Sequence, residues 1–307
     1  MDILSDIFET LGLKGTLYFR TDFSGNWGVV VPDFAEAARF HLVVQGVCHV
    51  RLNSGDTVCL RAGDMILIPQ GCSHILSDTP DRVASPLETV IAETGYSGKG
   101  VFVAGEGDSA ASTQMICGHF SFRQGAGHLL LNALPESITV TSATRAKEVW
   151  LDEMLRLVSR WVFSERIGTD GTVIRLSEIV FFELLRLGLT DNGSDSSVWN
   201  AFQDKNISQA INLIHEQPSA PWSVERLANE VGMSRSRFAE KFKELTGTAP
   251  MAYLADWRFQ KALAMLGDTQ SSVQQIAIQT GYQSAAAFTR AFAGKFGYPP
   301  TEYRQQL

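Results

Sequence analysis

Cysteine is scarce in this sequence: Cys48, Cys59, Cys72 and Cys117 all lie in the first half, with no Cys-x-x-Cys pair. A disulfide framework is thereby excluded as the basis of the fold. Long apolar runs are missing too, so no segment is expected to span a bilayer. The first residues, Met1-Asp2-Ile3-Leu4-Ser5-Asp6, are acidic where a secretory signal would be basic, and the expected location is the cytoplasm. Compositional bias is absent as well. A chain of 307 residues that is 45% apolar, with mean hydropathy near zero, reads as two ordinary folded domains with full cores.

Positive charge is also in short supply, with 26 Lys and Arg against 33 Asp and Glu. The deficit is uneven. Residues 205–307 hold 11 Lys and Arg against 8 Asp and Glu, leaving 15 against 25 in the rest. The last third is therefore the part suited to a polyanion. Its excess is too small for tight non-specific binding through phosphates, so affinity should depend on two modules or two subunits acting together.

What that basic portion contains is a repeat. Ala228, Gly232, Ser234, Phe238, Phe242, Gly247, Pro250 and Tyr253 return as Ala277, Gly281, Ser284, Phe288, Phe292, Gly297, Pro300 and Tyr303. From the serine onward the offset is constant at 50 residues. An Ala at a helix crossing, a Gly that closes the helix and a Ser that caps the next describe a helix-turn-helix. Ser223 is placed to cap the first helix of copy one, and Ser272 with Gln275 makes a capping-box pattern in copy two. At about 100° per residue, Phe238 and Phe242 turn inward, which leaves Ser236, Glu240 and Lys243 outward, with Arg235, Arg237 and Ala239 beside them. In copy two Phe288 and Phe292 turn inward, and Ala285, Ala286, Thr289 and Arg290 lie on or beside the outward face. Arg290 suits bidentate contact with guanine O6 and N7, Glu240 suits a cytosine N4, and the alanines suit thymine methyls. The alternative reading is a plain helical bundle with a solvated charged face.

These residues, with Leu227-Ala228-Asn229-Glu230-Val231-Gly232-Met233-Ser234, Ile276-Ala277, Gly281-Tyr282 and Tyr303-Arg304, resemble the DNA-binding domain of the AraC/XylS family of bacterial transcription regulators. The resemblance covers about 205–307. It implies two helix-turn-helix units joined by a long helix, here about Pro250 to Leu266, with reading helices in successive major grooves about 34 Å apart. It also implies operator DNA and RNA polymerase as partners, an activator's role, and a homodimer.

Towards the amino terminus the period changes. Met1 to Leu13 reads as an amphipathic helix. Short runs follow at Gly15–Thr21, Trp27–Val31, Phe40–Gln45, Cys48–Leu52, Thr57–Leu60, Met65–Ile68, Val101–Ala104 and Gln114–Phe120, the pattern of a small β-barrel or jelly roll. Gly63-x5-Pro69-x-Gly71-x2-His74 resembles the second motif of the cupin superfamily. His41, Gln45 and Gly46 resemble the first, although Arg39 stands where a second histidine belongs and Gln45 replaces the carboxylate. Cys117-Gly118-His119-Phe120, then His128-Leu129-Leu130 and Leu134-Pro135, resemble the end of the effector-binding cupin fused to AraC-type readers. The resemblance implies a small effector among His41, Gln45 and His74. An alternative ligand set of His41, His74, Cys117 and His128 suits zinc; the same histidines equally read as buried hydrogen-bonding groups, with Cys117 a small core residue.

Helices are expected over Arg145–Arg166 and Thr172–Leu187, with a turn at Ile167 to Gly171. Their apolar faces, including Trp161 and Leu184, either dimerise the chain or pack on the barrel. The expected fold class is α+β multidomain: a cupin-like barrel over 1–140, a helical hairpin over 141–190, a linker over 191–204 and an all-α double helix-turn-helix over 205–307. The expected function is a non-enzymatic, effector-responsive, DNA-binding transcription regulator. Two readings compete with it: a metal-dependent cupin enzyme fused to a DNA reader, and a constitutive regulator with a structural zinc.

Overall fold

The computed structural model describes residues 3–34, 37–105, 112–162, 167–190, 197–268 and 270–307. The chain forms two compact units, and neither is continuous in sequence. One comprises Lys14–Ser121 and Leu134–Leu189; the other comprises Met1–Leu13, Phe122–Ala133 and Thr190–Leu307. The units part at Leu189 and Thr190, and not near residue 140. The amino-terminal helix and the stretch 122–133 join the helical unit, and the helical hairpin joins the barrel.

In order, the elements are α1 (Ile3–Leu11), β1 (Lys14–Phe23), β2 (Gly28–Val31), β3 (Ala37–Gln45), β4 (Val47–Arg51), β5 (Thr57–Arg61) and β6 (Met65–Ile68). There follow β7 (His74–Ser77), β8 (Ser85–Pro86), α2 (Leu87–Thr94), β9 (Val101–Ala104), β10 (Thr113–Ser121), α3 (Leu129–Asn132), β11 (Ile138–Val140), α4 (Ser142–Lys147), α5 (Val149–Val162) and α6 (Thr169–Thr190). The remainder is helical: α7 (Ser197–Gln203), α8 (Lys205–Glu216), α9 (Val224–Glu230), α10 (Arg235–Thr246), α11 (Pro250–Asp268), α12 (Val273–Gln279), α13 (Ala285–Phe296) and α14 (Pro300–Gln305).

The strands form two sheets, ordered β11-β6-β3-β10-β1-β9 and β5-β4-β7-β2-β8. Alternate residues of each strand face the space between them: Phe23 from β1, Val29 and Val31 from β2, Val43 from β3, Cys48 and Val50 from β4, Phe102 from β9, Met115 and Cys117 from β10. Period two thus gives one apolar interior, as alternation requires. At Gly118 a side chain is impossible, because a Cβ would stand 2.4 Å from the Thr16 carbonyl oxygen and 2.6 Å from the Phe40 ring.

The outer face of the β1–β10 sheet is covered by α6. Phe120 and Phe181 have ring centroids 4.5 Å apart, and the Gly15 amide donates to Glu178 Oε1 at 2.9 Å. Val180, Phe181, Leu184 and Leu185 are buried by this packing, as are Leu151, Leu155 and Val158 of α5. Leu184 is fully covered within one chain, so it belongs to the core and not to a dimer surface. What those helices leave exposed is Val149, Trp150, Ile179 and Phe182. The expected turn after 166 is shorter than expected, because α6 begins at Thr169. The last four residues of the expected Arg145–Arg166 helix lie outside the described residues, as do the first six of the expected linker. The linker's end is helical: α7 begins at Ser197 and buries Ala201.

In the helical unit, the two helix-turn-helix copies are α9–α10 and α12–α13. Each turn carries a glycine with positive φ, Gly232 at 67° and Gly281 at 83°. In each, the amide two helical ends away returns to the crossing alanine: Met233 N to Ala228 O at 2.9 Å, and Tyr282 N to Ala277 O at 2.8 Å. Ser223 accepts from the Arg226 amide, Ser284 from the Ala287 amide, and Ser272 with Gln275 completes a capping box. Ser234 makes no such side-chain bond. Among the described residues no helix is long and apolar enough to cross a membrane.

Candidate functional site

The repeat's phenylalanines decide which faces are free. Phe238, Phe242, Phe288 and Phe292 are fully buried, and Tyr253 and Tyr303 close each small core. On α10 the opposite face is exposed at Arg235, Ser236, Arg237, Glu240 and Lys243, with Ala239 partly covered. On α13, Ala286 and Arg290 are exposed, with Ala285 and Thr289 partly covered. Ion pairs elsewhere tie down Lys241 to Asp204 and Lys295 to Asp256; among the described residues none engages Arg235, Arg237, Lys243 or Arg290. Both outward faces thus present hydrogen-bonding groups of the kind that read base edges.

The barrel holds a narrow, largely apolar cavity between Phe19, Phe23, Val29, Val31, Leu76, Phe102 and Met115, bordered by Thr21, Arg39, His41 and Cys117. Thr21 is buried, and its hydroxyl has no hydrogen-bond partner among the described residues. His41 lies between two partners, with Nδ1 3.0 Å from Cys117 Sγ and Nε2 2.8 Å from His74 Nε2; His74 Nδ1 is 2.8 Å from the Cys72 carbonyl oxygen. That carbonyl accepts only, which fixes every proton. His74 Nδ1–H donates to Cys72, His41 Nε2–H donates to His74, and the Cys117 thiol donates to His41. Charge is disfavoured along the chain. Burial, then the nearby imidazole and Arg39, hold His41 well below the ordinary histidine value, and burial holds His74 down to about 4. Burial pushes the Cys117 thiol up.

Two family models match the chain. A family model described as Cupin matches residues 2–189, and one described as Helix-turn-helix domain matches residues 227–306. The HTH-type transcriptional regulator AlkR of Acinetobacter baylyi is 30% identical over all of both chains. A putative AraC-like transcription regulator of Streptomyces lividans is 29% identical over 99% of this chain and 98% of its own. This chain belongs to the AraC family of transcription regulators. Among solved structures, an AraC-type transcriptional regulator from Chromobacterium violaceum is 30% identical over 35% of this chain and 96% of its own, with a TM-score of 0.33.

For this regulator the expected ligand residues do not stay together. His41, His74 and Cys117 meet in the barrel, but His41 borders the cavity while His74 stands behind it. Gln45 is exposed at the end of β3. The reason is a bulge: Gln114 pairs with Gln45 and Met115 with Val43, so Val44 is extra and alternation fails before Gln45. His128 belongs to the helical unit, where it caps α3 by accepting from the Leu130 amide at 3.2 Å. Nor do the three barrel groups converge as zinc ligands. His41 points opposite ring nitrogens at its two neighbours, and its 2.8 Å contact to His74 is shorter than the roughly 3.3 Å between nitrogens sharing a tetrahedral zinc.

A second buried chain of bonds, which spacing did not reveal, runs through the helical unit. His128 Nε2 is 3.2 Å from the Tyr253 hydroxyl, which is 2.8 Å from His215 Nε2; His215 Nδ1 is 3.2 Å from Asp6 Oδ2, and Lys261 donates to Asp6 Oδ1 at 2.6 Å. Protons are again fixed. His128 accepts at Nδ1, so it donates at Nε2 to Tyr253; the phenol donates to His215, which donates to Asp6. Trp257 stacks on His215 with centroids 3.7 Å apart. Asp6 and His215 are 209 positions apart, so only the folded chain brings them together.

This chain needs both imidazoles neutral. Burial holds His128 down to about 3, and burial lowers His215 despite the raising effect of Asp6. Burial raises the Asp6 carboxyl, but the bonds from His215 and Lys261 outweigh it and leave the group lowered. A histidine depressed on folding contributes stability that is whole above its unfolded value of about 6.5 and falls as pH drops towards the folded value. Asp6 adds a loss of the same sign at lower pH. The urea midpoint of the helical unit, followed by amide exchange in α8 and α11, is expected to be lower at about pH 5 than at about pH 7.5. In His128→Gln the slope should lose close to one proton; an unchanged slope would contradict the assignment.

Proposed function

We propose that this regulator binds a small, largely apolar effector in its barrel and reads DNA as a homodimer. The observation that carries the reading is the pairing, in one chain, of two outward reading faces with a narrow apolar cavity bearing a hydroxyl, Thr21, that has no partner among the described residues. The apolar wall selects a molecule of similar character, and the Thr21 hydroxyl favours one hydrogen-bonding group on it. His41 and Arg39 border that space, with His74 holding His41 in one tautomer. The protonated thiol and neutral imidazoles, each bonded to the next, favour recognition over chemistry. DNA contact falls to Arg235, Ser236, Arg237, Ala239, Glu240 and Lys243 in one groove and to Ala285, Ala286, Thr289 and Arg290 in the next. RNA polymerase is the further partner, in the cytoplasm.

Four outcomes test these parts. Arg290→Ala is expected to cost about 1–3 kcal/mol at a duplex selected from a random pool and to relax preference at one base pair. Uniform loss over all sequences would assign it to phosphate. In a melting screen of small apolar compounds, a binder should raise the barrel's transition, and Thr21→Val should reduce that rise. The purified chain is expected to carry substoichiometric zinc, and one zinc per chain, lost in His74→Ala, would reverse the reading of His41, His74 and Cys117. For assembly, Trp150 and Ile179 are the exposed apolar anchors on α5 and α6. Trp150→Glu should give a folded monomer by sedimentation, whereas a dimer that persists would place the interface elsewhere.

A further inference from the structure

The helical unit is completed by two pieces of chain that adjoin barrel strands. Leu13 ends the α1 piece and is followed directly by β1; Ser121 ends β10 and is followed directly by 122–133. β1 and β10 are partners along their whole length, from Lys14 opposite Ser121 to Phe23 opposite Thr113. They also supply much of the cavity wall, with Phe19, Thr21 and Phe23 from one and Met115, Cys117 and Gly118 from the other. Within the helical unit the two pieces are tied to each other, since the Arg123 amide donates to Leu11 O at 2.9 Å.

Their attachments select equivalent residues of the two repeat copies. Tyr253, from the first, takes the His128 bond at 3.2 Å. Tyr303, its counterpart 50 residues on, donates to the Gln124 carbonyl oxygen at 2.9 Å. The Gly127 amide donates to Gln260 Oε1 at 3.2 Å, on the helix that joins the copies. Asp6 of α1 holds the same helix through Lys261 and holds α8 through His215. A phenol buried in a helix-turn-helix core needs some partner for its hydroxyl. Here each phenol has a partner in 122–133, outside the repeat, although Tyr253 also donates to His215 of α8, so that stretch touches both copies at once.

We propose that residues 122–133, together with α1, are a strap by which the β1–β10 strand pair sets the two helix-turn-helix copies, with Tyr253 and Tyr303 as its fastenings. The proposal rests on the reading that the state of the barrel governs DNA binding, and supplies its route. A shift of β1 against β10 alters the ends from which both pieces start. The joining helix α11 then carries the change to α10 on one side and α13 on the other.

The test uses the full-length chain. Tyr303→Phe removes one fastening while keeping the ring; Tyr253→Phe removes the other together with the bond to His215, and either suffices if the other fails to fold. Thr21→Val and Met115→Ala alter the cavity from β1 and β10 respectively. Amide exchange should quicken in 122–133 in each tyrosine variant and leave the barrel strands unchanged; unchanged exchange in 122–133 overturns the strap. Affinity is read on a duplex selected from a random pool by the unaltered chain. Each cavity substitution should shift it about threefold or more, and the shift should largely vanish when Tyr253→Phe or Tyr303→Phe is also present. A shift of equal size in both backgrounds overturns the strap and leaves the effector reading standing. No shift in either background sinks both.

Discussion

A polar group taken out of water must be given a partner, and in this regulator that constraint orders both halves of the molecule. The thiol of Cys117, the imidazoles of His41 and His74, and the carbonyl of Cys72 form one line of bonds in the barrel. His128, Tyr253, His215 and Asp6 form another among the helices. In each line one end group has a fixed role, an accepting carbonyl or a donating amide, and that single fact orients every bond. Directed chains of this kind specify one arrangement of their elements, because a shifted helix or strand leaves a donor facing a donor. The apolar residues supply bulk, and these chains supply uniqueness.

Much of the reading half was legible in the sequence. A helix-turn-helix is local: its alanine, glycine, serine and phenylalanines sit within a few turns, so spacing alone carries the geometry, and a second copy doubles the signal. Most strands were legible for a similar reason, as period two survives in short runs. β7 was hidden because His74 to Ser77 follows the Pro69-x-Gly71 turn too closely to stand out as a run of its own. α2 and α7 were hidden because each has only about two turns, too few to establish a period.

The site was less legible, and the errors have physical causes. A bulge at Val44 reversed the facing of Gln45, and bulges leave no mark in residue types. Leu184 looked like spare apolar surface because the covering sheet face is made of residues far away in sequence. His128 resembled a ligand because a histidine's role depends on which nitrogen is already engaged, and that is a matter of tertiary contacts. Tyr253 and Tyr303 were visible as repeat positions, but their partners Gln124, His128 and His215 lie outside the repeat.

The two copies of the repeat have drifted apart in one respect. Between the turn glycine and the capping serine there is one residue in the first copy, Met233, and there are two in the second, Tyr282 and Gln283. The helices that follow differ more: α10 shows Arg235, Arg237, Glu240 and Lys243, whereas α13 sets a single Arg290 among alanines and Thr289. A protein with two unlike ends cannot be turned around on its target without exchanging what each end meets. One chain of this regulator therefore has a heading along the double helix, and a promoter that accepts it dictates which way it points.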